Sequence, residues 1–239
     1  MSAAPDLSVY LVTDAGQCEA AGRSVLRTVV EAVDGGVSCV QLRAKTSDGG
    51  PFLAEVLEVA RAVGDRVPVV VNDRVDVFLA AREAGAPVAG VHVGQRDLPA
   101  ACVRRLIGPE AVLGVSAADP VLIRAACDQG ATYLGIGSLR GTSTKSDAPA
   151  RQGMAGLSRL AAIATVPAVA IGGVTARDLP GLRRGGLAGA AVVSAICLAP
   201  DAREAARALR AAWDGAGSQA PSPSPRTSAT GGHRAGETR

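Results

Sequence analysis

Eight short valine-rich runs recur between residues 9 and 196, and segments with helical spacing separate them. The runs are residues 9–13, 38–42, 67–71, 90–94, 111–116, 132–137, 167–172 and 189–196. Strands that are apolar along most of their length and are joined by helices indicate a parallel sheet covered on both faces. Eight consecutive strand–helix units predict an α/β chain that folds as a (β/α)8 TIM barrel.

An open, doubly wound sheet is the alternative arrangement of the same units. Such sheets carry a Gly-x-Gly-x-x-Gly turn after the first strand when they bind a dinucleotide. The first strand of this chain ends instead in VTDAGQ, residues 12–17. The sequence therefore favours the closed barrel.

The composition of the chain changes at residue 217. From there it reads GSQAPSPSPRTSATGGHRAGETR, which is rich in Pro, Ser, Gly and Thr and offers almost nothing to bury. Such a segment is predicted to be disordered. We therefore expect one catalytic barrel domain over residues 1–216 and a disordered tail over residues 217–239.

Composition and charge exclude several classes of partner. Aromatic residues make up 2% of the chain, so the stacking platforms typical of single-stranded nucleic-acid binding are scarce. The net charge is +3, of which the tail contributes +2, so the barrel has no basic face for nucleic acid. No apolar run is long enough to cross a bilayer and no signal peptide is visible, which predicts that the protein has no membrane partner.

The five cysteines, residues 18, 39, 102, 127 and 197, include no Cys-x-x-Cys pair and no spacing typical of a zinc site. Cys39 and Cys197 lie within apolar runs and are predicted to be buried. Together with the missing signal peptide, these features predict a reduced protein in the cytoplasm.

Polar side chains cluster at the predicted carboxyl ends of the strands, where barrel enzymes carry their active sites. They are Gln41, Arg43 and Lys45 after the second strand, Asn72 and Asp73 after the third, Gln95 and Asp97 after the fourth, Ser116 after the fifth and Lys145 after the sixth. Two carboxylates from neighbouring strands suit Mg²⁺, which binds few protein carboxylates together with phosphate oxygens and water. The cations would neutralise the remaining phosphate charge. The pattern predicts a polyphosphate held through Mg²⁺.

A second anion site is expected at the loops after the seventh and eighth strands, where barrels frequently bind phosphate. Gly172 and Gly173 allow backbone N–H groups to approach a ligand, and the Ser194 hydroxyl can donate a hydrogen bond. The sequence thus indicates two anionic ligands, one of them bound through a metal.

Several of these residues also have a purely structural interpretation. An aspartate after a strand is commonly the N-cap of the following helix, and Asp97, which precedes Leu98 and Pro99, fits that role. His92 alternates with valines two residues before the rim and is predicted to be structural rather than catalytic. Trp213 is predicted to serve in packing.

Six segments of the chain match the motifs of one enzyme family in the same order. They are YLVTD, VQLRAK, VVNDRVDVFLAA, GVHVGQRDLP, YLGIGSLRGTSTKSDA and VAIGGV. Together they resemble the thiamine phosphate synthase family. The resemblance implies a (β/α)8 barrel that acts as a transferase in thiamine biosynthesis. It implies that 4-amino-2-methyl-5-hydroxymethylpyrimidine diphosphate condenses with 4-methyl-5-(2-phosphoethyl)thiazole, giving thiamine monophosphate and pyrophosphate, with Mg²⁺ as the cofactor.

The resemblance also implies a role for each matching residue. The pyrimidine diphosphate is assigned to Gln41, Leu42, Arg43, Ala44, Lys45, Asn72, Ser116 and Lys145. The thiazole phosphate is assigned to Thr142, Ser143, Thr144, Gly173, Val193 and Ser194. Asp73 and Asp97 are assigned to Mg²⁺. The catalytic role, stabilising the charge that gathers on the departing pyrophosphate, is assigned to Arg43, Lys45 and Lys145.

Two positions depart from the family pattern. Ala44 stands where the family often has Glu, and Ser138 stands where it usually has Pro. Ser does not fix φ as Pro does, so the loop after the sixth strand is expected to be looser.

Three alternative functions remain open. They are a thiazole tautomerase-like paralogue without Mg²⁺-dependent coupling, a non-catalytic barrel that binds a phosphate ligand, and another phosphate-handling barrel enzyme. Retention of Asp73, Asp97 and Lys145 argues against the first two. The expected partners are the two small-molecule substrates, and the sequence leaves open whether copies of the chain form a homo-oligomer.

Overall fold

The computed structural model describes residues 5–141 and 151–216. Within these ranges eight parallel strands form a closed barrel, in which each strand pairs with the next and the last pairs with the first. The strands are β1 (Val9–Val12), β2 (Cys39–Leu42), β3 (Val69–Asn72), β4 (Gly90–Val93), β5 (Val112–Ser116), β6 (Tyr133–Gly137), β7 (Ala168–Ile171) and β8 (Gly189–Val192). The predicted (β/α)8 barrel is confirmed, and the predicted disordered tail lies outside the described residues.

Helices surround the barrel. Those in the described ranges are α1 (Ala15–Ala20), α2 (Val25–Asp34), α3 (Gly49–Val63), α4 (Val75–Glu83), α5 (Ala100–Ile107), α6 (Pro120–Asp128), α7 (Gly153–Ala161), α8 (Leu179–Arg184), α9 (Ser194–Cys197) and α10 (Ala202–Gly215). A 3-10 turn, Ala176–Asp178, precedes α8. None of these helices is both long and apolar enough to span a bilayer.

The end of the eighth strand was predicted wrongly. The predicted strand runs to residue 196, whereas β8 ends at Val192 and the short helix α9 follows. The apolar run continues across this boundary because Ile196 and Cys197 of α9 are as fully buried as the strand. A continuous apolar run does not distinguish a strand from a buried helical turn. Both α1 and α9 are additional to the eight connecting helices that were predicted.

A buried arginine from the loop between α1 and α2 fixes the position of α9. The Arg23 guanidinium donates hydrogen bonds at 2.7–3.4 Å to four backbone carbonyl oxygens at the end of α9 and just beyond it. The carbonyls are those of Ile196, Cys197, Ala199 and Pro200. A cation stabilises this end of a helix because the last carbonyls have no partner within the helix. Arg23 therefore holds the segment after β8 in place.

The strands present different residues to the two sides of the sheet. Outward-facing side chains such as Leu11, Val40 and Val71 pack beneath the helices in the larger core cluster. A smaller cluster lies inside the barrel and consists of Leu7, Tyr10, Val12, Cys39, Val70, Val112, Tyr133, Val169 and Ala191. Packed side chains fill the interior of such barrels, which leaves the carboxyl ends of the strands as the place for a site.

Two smaller predictions about the core are confirmed. Trp213 on α10 is 5% exposed, and the Arg183 guanidinium lies 5.5 Å from the centroid of its ring. Cys39 and Cys197 are buried, and the five cysteines are free thiols.

Candidate active site

A cavity of about 640 Å³ opens at the carboxyl ends of the strands. All eight strands, or the loops that follow them, contribute to its lining. The sequence-predicted site residues in the lining are Gln41, Arg43, Lys45, Asn72, Asp73, Gln95, Asp97, Ser116, Gly172, Gly173, Val193 and Ser194. The fold therefore brings the predicted carboxylates, two cations and the predicted phosphate-binding positions to one place.

Two residues assigned to the pyrimidine diphosphate do not line the cavity. The Leu42 side chain faces outward and is fully buried beneath the helices, and Ala44 packs against the same core. Because side chains alternate along a strand, Leu42 and its neighbour Gln41 point to opposite faces. The side chains of Leu42 and Ala44 therefore do not reach the cavity. The assignments of Thr142, Ser143, Thr144 and Lys145 fall outside the described residues and stay predictions.

Asp73 follows β3 in a left-handed backbone conformation, with φ of 59°. Asp tolerates this region better than most residues, so the turn needs no glycine. The Asp73 backbone N–H donates to the His92 carbonyl oxygen at 2.8 Å, which ties the turn to β4. Arg74, and not Asp73, occupies the N-cap position of α4, and Asp73 is exposed at the cavity.

Asp97 lies on the turn after β4. Its carboxylate accepts a hydrogen bond from the Gly94 N–H at 2.8 Å. Pro99 occupies the N-cap position of α5, so the interpretation of Asp97 as an N-cap is wrong. In the described ranges no group of three or more His, Cys, Asp or Glu side chains is placed to hold a metal ion. A metal ion held by the Asp73 and Asp97 carboxylates would thus need water or ligand oxygens to complete its coordination.

The turn after β1 sets the position of Arg43, which was not anticipated from the sequence. The Arg43 guanidinium lies 3.7 Å from the Asp14 carboxylate, and its side chain is 10% exposed. Its backbone N–H donates to the Thr13 hydroxyl at 3.0 Å. Gln17 of α1 also lines the cavity. The polar residues of TDAGQ, directly after an apolar strand, are the sequence signal from which a contribution of this turn could have been found.

A polar network lies inside the barrel below the rim. Gln41 Nε2 donates to the Tyr10 hydroxyl at 2.8 Å, and the Tyr10 and Tyr133 hydroxyls are 2.7 Å apart. His92 Nδ1 is 2.9 Å from the Tyr133 hydroxyl, and His92 Nε2 is 2.9 Å from the Ser116 hydroxyl. Burial raises the pKa of both tyrosines well above the ordinary value, so their hydroxyls stay protonated. Both ring nitrogens of His92 thus have hydrogen-bond partners in the protein.

The loops after β6 and β7 are in close contact. Gly172 and Gly173 have φ of 94° and 66°, and a Cβ at Gly172 would overlap the Ser138 side chain. Ser138 is buried, its hydroxyl donates to the Arg140 carbonyl oxygen, and its own carbonyl accepts from the Gln152 N–H. Ser138 itself is therefore held by hydrogen bonds, while the looser loop expected from the replacement of Pro concerns residues that lie mostly outside the described ranges and stays a prediction.

Arg140 joins the loop after β6 to the 3-10 turn after β7. Its guanidinium donates to both carboxylate oxygens of Asp178, at 2.5 and 2.7 Å, and to the Gly173 carbonyl oxygen at 2.8 Å. Asp178 also accepts hydrogen bonds from the Thr175 N–H and hydroxyl. The hydrogen bonds from Arg140, followed by those from Thr175, lower the pKa of Asp178 to about 2. This ion pair holds Gly173 at the cavity wall.

We expect Asp178→Asn to lower the free energy of unfolding by about 1–2 kcal/mol at neutral pH, because it removes the charge of a buried carboxylate that accepts several hydrogen bonds, although its partner Arg140 is about half exposed. Folding lowers the pKa of Asp178, so its stabilisation is present above the ordinary value of 3.8 and is lost as the pH falls toward about 2. Urea unfolding at neutral pH and near pH 2 measures the difference in unfolding free energy between Asp178→Asn and the wild type. This difference should shrink toward zero in acid.

Asp214→Asn is the matched control for this experiment. Asp214 pairs with Arg210 at 2.9 Å on the surface, where both side chains are exposed to water. Such a pair contributes under about 1 kcal/mol, so Asp214→Asn should behave like the wild type. A difference between Asp178→Asn and wild type that stayed constant from neutral to acid pH would contradict the role given to the Asp178 charge.

A model of the thiamine monophosphate synthase family matches residues 9–196. The chain belongs to this family. The match begins with β1 and ends within α9, so it contains all the strands and the rim residues described above. The family resemblance inferred from the six motifs is confirmed.

Individual thiamine-phosphate synthases align with most of the chain. The chain is 42% identical over 205 residues to the thiamine-phosphate synthase of Roseiflexus castenholzii, covering 84% of this chain and 86% of that protein. It is 43% identical over 209 residues to that of Chloroflexus aurantiacus, covering 86% and 92%. The solved structure of thiamine phosphate pyrophosphorylase from Pyrococcus furiosus has a TM-score of 0.78 at 28% identity, covering 89% and 98%. Thiamine-phosphate synthase is a transferase, and the function predicted from the sequence is confirmed.

Proposed function

We propose that this chain joins the aminopyrimidine diphosphate to the thiazole phosphate in the cavity at the strand ends, with Mg²⁺ as cofactor, and releases pyrophosphate. The observation that carries the proposal is the meeting of two carboxylates and two cations, since Asp73, Asp97, Arg43 and Lys45 all line one cavity. A diphosphate bound through a divalent cation requires this combination of charges. Membership of the thiamine monophosphate synthase family supports the identity of the two substrates.

Asp73 and Asp97 would hold the Mg²⁺. Both carboxylates are exposed at the cavity, and the chemistry of this donor pair fits the ion. Mg²⁺ usually keeps several waters and binds through one or two carboxylates and the phosphates of the substrate, so a pair of carboxylates suffices. When bound, the ion supplies stabilisation of the negative charge on the departing pyrophosphate.

Arg43 and Lys45 would bind the diphosphate oxygens that face away from the metal. The nearly buried position of the Arg43 side chain strengthens its attraction to an anion, because little water screens the pair. Asp14, at 3.7 Å, orients the guanidinium while leaving several of its N–H groups for the ligand. Lys145, which the sequence places after β6, is proposed as a third cation for the same leaving group.

The coupling needs neither a protein nucleophile nor a dedicated general base. The thiazole nitrogen supplies the lone pair for the new carbon–nitrogen bond, and the electrons of the broken carbon–oxygen bond leave with pyrophosphate. The pyrimidine amino group delocalises the positive charge that develops at the reacting carbon. This chemistry agrees with the hydrogen bonds of His92, whose two ring nitrogens are both engaged by the protein.

The thiazole phosphate is proposed to bind on the β7–β8 side of the cavity. Gly173, Val193 and Ser194 line this side, and Gly173 has no side chain that would keep a phosphate from its backbone. Residues 142–144 are proposed to complete the site from the loop after β6. This arrangement places the two substrates side by side across the rim.

We also propose a cytoplasmic location. The five cysteines are free thiols, which suits a reducing compartment. Localisation of a fluorescent fusion that keeps both termini of the barrel intact would test this.

Pyrophosphate release from the purified full chain tests the proposed reaction. We expect release when both substrates and Mg²⁺ are present, and none when either substrate is omitted or a chelator removes the metal. Formation of thiamine monophosphate in equal amount confirms the coupling. If the thiazole phosphate bound saturably but no pyrophosphate appeared under any condition, the chain would instead be a tautomerase-like paralogue or a binding protein.

A further inference from the structure

A continuous chain of hydrogen bonds crosses the barrel interior beneath the cavity. It runs from Gln41 through Tyr10, Tyr133 and His92 to Ser116, with contacts of 2.7–2.9 Å. The first four side chains are at most 9% exposed. The two ends, Gln41 and Ser116, line the cavity together with Tyr10 and His92, whereas Tyr133 does not. We call the three residues between them, Tyr10, Tyr133 and His92, the interior relay.

The donor at one end sets the direction of every bond in this chain. Gln41 Nε2 can only donate, so the Tyr10 oxygen accepts and directs its own hydrogen to Tyr133. Tyr133 then donates to His92 Nδ1, which must be the nitrogen without a hydrogen. Neither tyrosine can reverse this by ionising, because burial raises the pKa of both well above the ordinary value.

The direction of the relay determines what its ends offer to a ligand. His92 Nε2 carries the hydrogen and donates to Ser116 Oγ, which leaves the Ser116 hydroxyl hydrogen for the cavity. At the other end Gln41 Nε2 is turned toward Tyr10, so the amide offers its Oε1 to the cavity. The site thus presents an acceptor at Gln41 and a donor at Ser116.

Two glycines within the strands make room for the relay. A Cβ at Gly114 on β5 would lie 2.3 Å from the Tyr133 hydroxyl oxygen and 2.4 Å from His92 Nδ1. A Cβ at Gly135 on β6 would lie 3.1 Å from His92 Cε1. Glycine weakens the interior of a strand and often marks a close approach of other atoms. The two glycines therefore indicate that the histidine and tyrosine are held in one arrangement.

We propose that the interior relay fixes the hydrogen-bond direction of Gln41 and Ser116, so that the site accepts an aminopyrimidine and rejects the corresponding oxopyrimidine. This inference rests on the proposed function and deepens it. An aminopyrimidine offers an amino donor beside a ring-nitrogen acceptor, which matches Gln41 Oε1 and the Ser116 hydroxyl. The oxopyrimidine turns an acceptor toward Gln41 Oε1, which also only accepts, so this contact is mismatched and the glutamine oxygen is left unpaired. The ring N–H of the oxopyrimidine still finds an acceptor in the second lone pair of Ser116 Oγ, so the rejection comes from the Gln41 end.

Tyr133→Phe tests the relay because it removes one hydroxyl and keeps the ring. Without the Tyr133 hydrogen, His92 can adopt the other tautomer, in which Nε2 accepts from Ser116 and the ligand loses its donor. We expect kcat/KM for the aminopyrimidine diphosphate to fall about tenfold to a hundredfold. The preference over the oxopyrimidine diphosphate should fall by a similar factor, while KM for the thiazole phosphate stays within about twofold of the wild type.

Tyr10→Phe is the graded comparison. It removes the link between Gln41 and Tyr133 but leaves the Tyr133 hydroxyl 2.9 Å from His92 Nδ1, so the loss of the Nε2–H tautomer should be smaller than in Tyr133→Phe. Thermal unfolding of both variants separates lost stability from lost recognition. A purely structural role for the tyrosines would lower Tm without changing the preference between the two pyrimidines.

Nitrogen NMR of isotope-labelled histidine reads the direction of the relay without altering it. The chain holds two histidines, and His233→Gln leaves His92 as the single imidazole in the spectrum. We expect the tautomer with hydrogen on Nε2. Tyr133→Phe should shift the signals toward a mixture of tautomers, and Tyr10→Phe should shift them less.

The outcomes separate this inference from the proposed function. A wild-type His92 with hydrogen on Nδ1, or a folded Tyr133→Phe variant with an unchanged preference for the aminopyrimidine, would overturn the relay while leaving the coupling reaction intact. Absence of pyrophosphate release by the wild type would overturn the proposed function and the aminopyrimidine selection with it, and the NMR result would still report the direction of the hydrogen bonds.

Discussion

Asp73→Asn and Asp97→Asn are each expected to lower kcat for pyrophosphate release by about a hundredfold or more. Each removes one of the two carboxylates proposed to hold Mg²⁺ at the cavity. An amide oxygen carries no net charge, so it binds a hard divalent cation more weakly than a carboxylate does. The remaining activity should require a much higher Mg²⁺ concentration, because binding of the ion and catalysis are both impaired.

Asparagine is the appropriate replacement because it preserves the backbone at both positions. Asp73 has φ of 59°, a region that Asn also tolerates. At position 97 the Asn side-chain oxygen can still accept the hydrogen bond from the Gly94 N–H. A loss of activity can therefore be assigned to the charge and not to a rearranged turn.

Initial rates measured across a Mg²⁺ titration give the size of the effect, and thermal unfolding verifies that each variant folds. Asp76→Asn is the matched control, since Asp76 lies on α4 beside the site but pairs with Arg74 at 2.6 Å and is outside the cavity lining. It should keep the wild-type rate. Normal rates with an unchanged Mg²⁺ requirement in both Asp73→Asn and Asp97→Asn would show that the metal lies elsewhere.

The barrel and the location of its site were predictable because both depend on local sequence. Valine-rich runs mark strands, and polar residues at their carboxyl ends must converge once the strands are parallel. Asp73 and Asp97 can be identified in this way from their positions at strand ends alone, without information about contacts between distant residues. The same reasoning overlooked the turn at Asp14, because a carboxylate directly before a helix has an adequate explanation as an N-cap.

The interior of the barrel was not predictable in the same way. Both faces of each strand are buried, so the apolar pattern has no polar face that would separate inward from outward positions. For this reason the sequence did not reveal that Leu42, which was assigned to the substrate, faces the helices while Gln41 faces the cavity. The contact between the Tyr10 and Tyr133 hydroxyls joins residues 123 positions apart, which no local pattern reports. The network beneath the cavity therefore required the three-dimensional structure.

Gly90→Ala is expected to destabilise the folded chain by about 4 kcal/mol or more, the range of exceptional single substitutions. Gly90 begins β4 and pairs with Val112 of β5. A Cβ at this position would lie 1.8 Å from the Val112 carbonyl oxygen and 2.6 Å from its carbonyl carbon. These are backbone atoms of a strand that is hydrogen-bonded on both sides in a closed barrel, so they cannot move aside as the end of a flexible side chain would.

Gly215→Ala at the end of α10 is the control for this substitution, because nothing beyond its own helix and chain neighbours lies within 4 Å of the added Cβ. Alanine is the better helix former, so the free energy of unfolding should stay unchanged or rise by up to about 1 kcal/mol. Urea unfolding of the two variants beside the wild type gives the comparison. If Gly90→Ala cost less than about 1 kcal/mol, the strands would be able to separate locally. His92 lies two residues further along β4. If the strands separated there, the close contacts of His92 with the neighbouring strands would not hold it in one tautomer, so this stability measurement also bears on substrate selection.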